Sequence, residues 1–157
     1  MPRDPANTIY FRQARFSTRL PKECLYSPAH YWLEEAETGL WRIGLTRFAT
    51  RMLGDFVEFS PQVEIDASVQ VGETIGSVEG FKAVTDVFCL ANGVWRGMNP
   101  RLLEKPDVVD LDPYDAGWLY LVAGTPADFV VDAAGYVEIL NAVIEKMLAK
   151  ESEKPSC

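Results

Sequence analysis

Apolar positions along this chain of 157 residues follow two periods. Up to about residue 124 they come in short runs broken by Gly and Pro, and near residue 133 a helical spacing takes over. "HYWLEE" and "LWRIGLT" flank the turn "AETG" and predict two strands of a hairpin. "RFATRMLG" predicts a short helix, with Thr46 as its cap, Phe48, Met52 and Leu53 on one face, and Gly54 as its stop. "DFVEFS" alternates and predicts a strand. "ETIGSVEG" and "AVTDVFCL" predict the two arms of a hairpin around Phe81-Lys82. "GVWRGMN" and "GWLYLVAG" predict further strands. "PRLLEKPDVVD" holds a helical turn that Pro106 ends. Tyr136, Ile139, Leu140, Val143, Ile144, Met147 and Leu148 recur every three or four positions, so an amphipathic helix is expected over roughly 133 to 150. Residues 1 to about 23 mix Pro, Arg and aromatics and read as an arm with one short strand. Short strands at this spacing make the chain mainly β with flanking helices, a compact sandwich or barrel.

Composition narrows the function classes. Fifteen bases against twenty-three acids give a formal charge of -8. That balance opposes binding to nucleic acid or to anionic lipid, which need basic surfaces. No apolar run reaches the roughly 20 residues of a membrane span, and the N-terminus lacks the apolar core of a secretory signal, so a cytoplasmic protein is expected. Cys24, Cys89 and Cys157 are far apart and form no metal-ligand pair; each reads as a free thiol, and Cys89 as a small core residue.

Catalytic groups do not assemble. His30 is the only histidine, and a lone histidine beside Trp32 reads as a packed, hydrogen-bonded ring. "GETIGSVEG" is neither a phosphate loop nor a dinucleotide fingerprint, so its glycines read as strand kinks and bulges. The residues describe a β-rich binding or carrier domain, not an enzyme. Lys82 is the exception that needs a reason: a cation at the tip of an apolar hairpin, between Phe81 and Ala83. Its ordinary reading is a solvated turn lysine with its stem on the phenyl ring.

The wider pattern supplies another reading. "LT-x-FA-x-x-x-LGD", "VE-x-x-KA-x-x-D" and "DPY-x-x-GW" occur in this order and resemble the glycine cleavage system H-protein family over Tyr26 to Leu148. The resemblance implies a lipoyl/biotinyl-type flattened barrel-sandwich hybrid: two small antiparallel sheets plus a C-terminal helix. It divides the chain into an N-terminal extension (1–23), a lipoyl-carrier domain (24–150) and a polar tail (151–157). It implies lipoate in amide linkage on Lys82, which removes the charge and leaves a long arm ending in a dithiolane. Biotin ranks lower, because a biotinyl lysine usually lies between methionines. Glu79 and Asp86 match the family's acidic positions, Glu79 for the lipoylating enzyme and Asp86 beside the arm. Gly80 serves the turn's backbone, Phe81 and Ala83 stiffen the pedestal, and His30 matches the family histidine.

Three departures bear on the cargo. The family's His-Glu-Trp here reads His30-Tyr31-Trp32, which removes a charge partner for an ammonium group. The lysine loop reads "EGFKA" where many members have "ESVKA". The chain also carries roughly twenty extra N-terminal residues. These features resemble the lipoate-binding proteins of the heterodisulfide-reductase-like sulfur-oxidation system, so a sulfur-compound carrier is the favoured expectation, with that oxidising complex and lipoamide dehydrogenase as partners. The alternative is the classical carrier of an aminomethyl group between glycine decarboxylase and aminomethyltransferase. A reading from another class is a non-lipoylated binding module of the same fold.

Overall fold

A computed structural model describes residues 3–153. Its strands and helices are β1 (Thr8–Gln13), β2 (Phe16–Pro21), β3 (Leu25–Tyr26), β4 (Tyr31–Glu37), β5 (Leu40–Leu45), α1 (Arg47–Leu53), β6 (Phe56–Pro61), β7 (Ser68–Val69), β8 (Thr74–Gly80), β9 (Val84–Phe88), β10 (Ala91–Met98), α2 (Arg101–Glu104), α3 (Val108–Leu111), β11 (Tyr120–Pro126) and α4 (Ala133–Glu153). All pairings are antiparallel. A six-stranded sheet runs in the order β3-β4-β5-β11-β10-β7, a three-stranded sheet in the order β6-β8-β9, and β1-β2 form a separate hairpin. The mainly β fold with a C-terminal helix is as the sequence implied.

Two cores explain the hydrophobic pattern. Ile43, Trp95 and Val122 of the large sheet meet Ile75, Val78 and Val87 of the small one. Phe11 and Leu20 of the N-terminal hairpin, Tyr26, Trp32, Phe48, and Tyr136, Leu140 and Ile144 of α4 form the second core. Strand β4 therefore opens with an unbroken apolar run: Tyr31 and Leu33 face the first core, Trp32 the second. A strand covered on both faces need not alternate.

Several expectations change. The N-terminal arm is a full hairpin rather than one short strand, with Phe11 opposite Thr18 and Ile9 opposite Leu20. Its turn is Ala14-Arg15, and Ala14 takes a left-handed φ of 54°; the usual Gly or Asn signal for such a turn is missing. In β6 simple alternation fails. Phe56 and Phe59 are buried while Val57 and Glu58 are exposed, because a bulge between Phe56 and Glu58 resets the phase. Pro106 ends α2, but a second short helix, α3, follows it. Met52 is 50% exposed, Leu148 43% and Met147 38%, instead of sharing the buried helix faces. Helix α4 continues through Glu153, past the expected start of the tail; Cys157 lies outside the described residues. The glycine expectation for "GETIGSVEG" is met at Gly76, which sits at a register shift between β8 and β9.

Candidate functional site

The lysine-bearing turn is built by its neighbours. The Thr46 side chain caps α1 by accepting from the Ala49 N–H, and the helix stops at Gly54, whose φ is 82°. That stop leaves the last helix carbonyl, Leu53 O, and the following Asp55 O to the β8–β9 turn, which takes both. The Lys82 N–H donates to Leu53 O at 3.0 Å, and the Phe81 N–H donates to Asp55 O at 3.0 Å. Within the turn the Gly80 N–H donates to Ala83 O at 2.9 Å. One set of bonds thus satisfies both a helix end and a hairpin tip.

Gly80 has a reason different from the one expected. Its φ is not in the left-handed region. A Cβ there would lie 2.3 Å from Leu53 O, so close backbone approach, rather than an unusual turn conformation, demands glycine. Asp110 braces the same corner: its Oδ2 accepts from the Phe56 N–H at 2.8 Å, and its carbonyl accepts from the Arg47 guanidinium at 2.6 Å. Burial pushes the Asp110 carboxyl up, opposed by the bond from Phe56.

Lys82 is exposed on this clamped turn, with Phe81 80% exposed and Val84 69% exposed beside it. Two clefts flank it. One, of about 300 Å³, holds Lys82 itself with Arg47, Arg51, Asp55 and Phe81. The other, of about 360 Å³, is mostly apolar; it runs from Ala83 and Asp86 over Phe48 and Leu53 to His30 and Tyr31. The structure thus brings Ala83, Asp86 and His30 to one cleft. Phe81 lines the other cleft, Glu79 is exposed on β8, and Gly80 is buried against α1.

The electrostatics of the larger cleft are simple. His30 has a left-handed φ of 72°. Its Nδ1 lies 2.8 Å from the Tyr136 hydroxyl, and its ring centroid lies 4.6 Å from that of Phe48. Burial lowers its pKa to about 4, so the ring is neutral at pH 7. The Tyr31 hydroxyl accepts from the Phe88 N–H at 3.1 Å, and burial raises its pKa. Asp86 is the one carboxylate lining this cleft. Cys89 is buried, its pKa raised by burial, and its thiol donates to Ala91 O; it is a core residue, as expected.

Sequence reasoning missed Arg47 and Arg51 beside Lys82, and Met52 and Phe88 on the apolar cleft. The one available signal was the capped helix "RFATRML", which leads into the Gly54 corner on which the lysine turn rests. Among the described residues no cluster of His, Cys, Asp or Glu is arranged to hold a metal ion. No helix among the described residues is long and apolar enough to cross a membrane.

Comparison with known proteins meets this geometry. A family model described as Glycine cleavage H-protein matches residues 24–141. The chain is 39% identical over 100 residues to a glycine cleavage system H protein of Listeria innocua, covering 64% of this chain and 78% of the relative. It is 36% identical over 124 residues to the H protein of Corynebacterium jeikeium, covering 76% and 95%. A crystal structure of the H protein from Mycobacterium marinum superposes with a TM-score of 0.68 at 33% identity, covering 76% of this chain and 97% of that one. The favoured sulfur-carrier expectation finds no support in these likenesses, and the classical alternative fits them better. Residues 1–23, with the hairpin β1–β2, lie before the matched segment. The chain belongs to the glycine cleavage H-protein family, whose members are non-catalytic carriers of lipoate on a lysine.

Proposed function

We propose that the chain carries lipoate as an amide on Lys82 and shuttles an aminomethyl group between glycine decarboxylase and aminomethyltransferase, with lipoamide dehydrogenase restoring the disulfide. The lysine fits that use. It is exposed, and the turn that bears it is fixed by two hydrogen bonds to the α1–β6 corner, one from the Lys82 N–H and one from the Phe81 N–H, so a partner meets the arm's root in one position. Glu79 is exposed three residues before it and is the recognition point for a lipoylating enzyme. Phe81 and Ala83 keep the tip free of charge, and Gly80 lets it seat on Leu53. When bound, lipoate supplies a dithiolane that opens on attack at sulfur and recloses on oxidation. The protein confines that group near successive active sites at high effective concentration.

The observation that carries the choice of cargo is the charge of the apolar cleft. Asp86 is its one carboxylate and His30 is neutral. A cationic amine gains from Asp86, whereas an anionic sulfur group is repelled by it. Tyr31 does not contribute a charge; its hydroxyl is already engaged by the β9 backbone. The loss of the usual glutamate therefore leaves one acid rather than none.

Two measurements test the proposal. Intact mass from a lipoylating host should exceed the sequence mass by one lipoyl group, and an unshifted mass with Lys82 still reactive to amine reagents overturns the carrier role. Glycine–carbon dioxide exchange with glycine decarboxylase should proceed with the lipoylated protein and fall roughly tenfold in Asp86→Asn. Absence of exchange by lipoylated protein removes the aminomethyl cargo.

A further inference from the structure

The N-terminal hairpin is basic, as is the acid-free stretch from Thr38 to Gly54 that carries Arg42, Arg47 and Arg51. Thr8 to Lys22 contains four bases, Arg12, Arg15, Arg19 and Lys22, and no acid, in a chain whose acids outnumber its bases. The inner face is tethered to the second core by Phe11 and Leu20. The outer face presents Arg12 and Arg19, with the Arg19 guanidinium 5.1 Å from the ring centroid of half-exposed Tyr10.

The turn end of this hairpin lies against α1. Phe16 meets Phe48 edge-on at 5.5 Å, and the Arg51 guanidinium lies 5.9 Å from the Phe16 ring centroid. A groove there is lined by Arg15, Phe16, Arg51, Met52 and Glu151. Arg51 also lines the cleft that holds Arg47 and Lys82. Arg15, Arg51 and Arg47 thus make a basic line from the hairpin turn to the lysine, with Phe16 and Met52 as apolar ground between them. Among the described residues none of Arg12, Arg15, Arg19, Arg47 and Arg51 forms a salt bridge; those that exist involve Arg3, Arg42 and Arg96.

We propose that this line is a docking surface for a partner protein with an acidic face, one of the enzymes that exchange cargo with the Lys82 arm. The inference rests on the carrier role proposed above. Guanidinium groups on an apolar ground favour planar, bidentate pairing with carboxylates, and charge complementarity of this kind sets encounter rate and orientation. A partner seated across α1 and the hairpin has its active site beside the root of the arm. A protein fits better than a nucleic acid: its acidic patch is local and can meet the arginines individually, whereas a polyanion also runs over Asp55, Asp110 and Glu151, which line the same clefts, and over a chain of net charge -8.

The test is saturation kinetics of the lipoylated full chain with purified glycine decarboxylase, aminomethyltransferase and lipoamide dehydrogenase of the same organism. With at least one enzyme, Arg15→Glu/Arg51→Glu should raise the KM for the carrier about tenfold with kcat unchanged. Wild-type KM should rise with salt, and the variant's should not. Lys105→Glu/Lys146→Glu, the same charge change at exposed sites off the line, should leave KM as it is. Arg15→Gln/Arg51→Gln, which removes charge without reversing it, should give an intermediate KM, and it decides the matter if the glutamate pair lowers the unfolding midpoint. Unchanged KM with all three enzymes overturns the docking surface while leaving the carrier role intact. Wild-type protein inert with all three overturns the carrier role, and the docking surface with it. Retention of a duplex oligonucleotide that is lost in the glutamate pair, with KM unchanged, reassigns the arginines to nucleic acid.

Discussion

Two hairpins of this molecule end in a cation, and they are held in opposite ways. The β8–β9 tip is fixed through its backbone: the Phe81 and Lys82 N–H groups are taken by Asp55 and Leu53 carbonyls, and Gly80 lies where a methyl would strike Leu53 O. Among the described residues, the Ala14-Arg15 tip makes no backbone hydrogen bond outside its own hairpin. That hairpin is held by side chains, chiefly Phe11 and Leu20 in the second core and Phe16 against Phe48. Backbone clamping fixes where a side chain starts and leaves the side chain itself free, which suits an attachment point. Side-chain burial anchors a surface while its tip stays outside the frame.

The largest effect expected is all or none. Lys82→Arg keeps charge and stem but removes the primary amine, so the lipoyl increment in intact mass should vanish and exchange activity with it. No compensating mass should appear on Lys105 or Lys146, which are exposed but not seated on a clamped turn. Next, Gly80→Ala should destabilise the fold by roughly 3 kcal/mol, because the methyl meets backbone and not a flexible side-chain end. It should also slow lipoylation, since the turn must part from Leu53. Phe11→Ala should lower stability by about 3–5 kcal/mol through a core cavity, yet leave the lipoyl increment complete. Equal damage to lipoylation from both substitutions, measured beside urea unfolding, would erase the distinction between the hairpins.

Much of this was legible in the residues. The capped helix, the hairpin around Lys82 and the C-terminal helix announced themselves through Thr46, Gly54 and the spacing of Tyr136, Leu140 and Ile144. The exceptions share a physical cause: they depend on what lies across from a residue. The bulge in β6 is invisible in "DFVEFS" because it is a property of pairing with β8. The hairpin β1–β2 hid because Ala14 occupies a conformation that glycine or asparagine usually marks. Gly80 looked like a turn glycine, and only the position of Leu53 O gives its reason. At the site, Asp86 and His30 are 56 positions apart in the chain; their sharing one cleft, and the neutrality of His30, follow from burial that no local pattern encodes.

His30 offers a smaller effect with a definite sign. Its folded pKa, about 4, lies below the ordinary histidine value, so the unfolded chain takes up the proton first as pH falls. Stability should be at its full value above about pH 6.5 and decline as pH falls toward 4. His30→Asn tolerates the left-handed backbone and removes the titration. The variant's unfolding free energy should be flatter between pH 6.5 and 5, above the range in which carboxylates contribute. An unchanged slope would assign the pH dependence to other groups.

The smallest effect returns to the less constrained tip. Ala14 holds a φ of 54°, a region that disfavours a side chain with a Cβ. Ala14→Gly relieves that cost but adds unfolded-chain entropy, so the net gain should be at most about 1 kcal/mol. For a domain of this size that is a rise in unfolding midpoint of roughly 2–4 °C. The substitution touches neither the Arg15 side chain nor the clamp at Lys82. The docking inference therefore expects KM for every partner enzyme to stay at the wild-type value while the midpoint rises. A fall in stability would mean that Ala14 is not strained, and that the hairpin's turn is set by its strands rather than imposed on this residue.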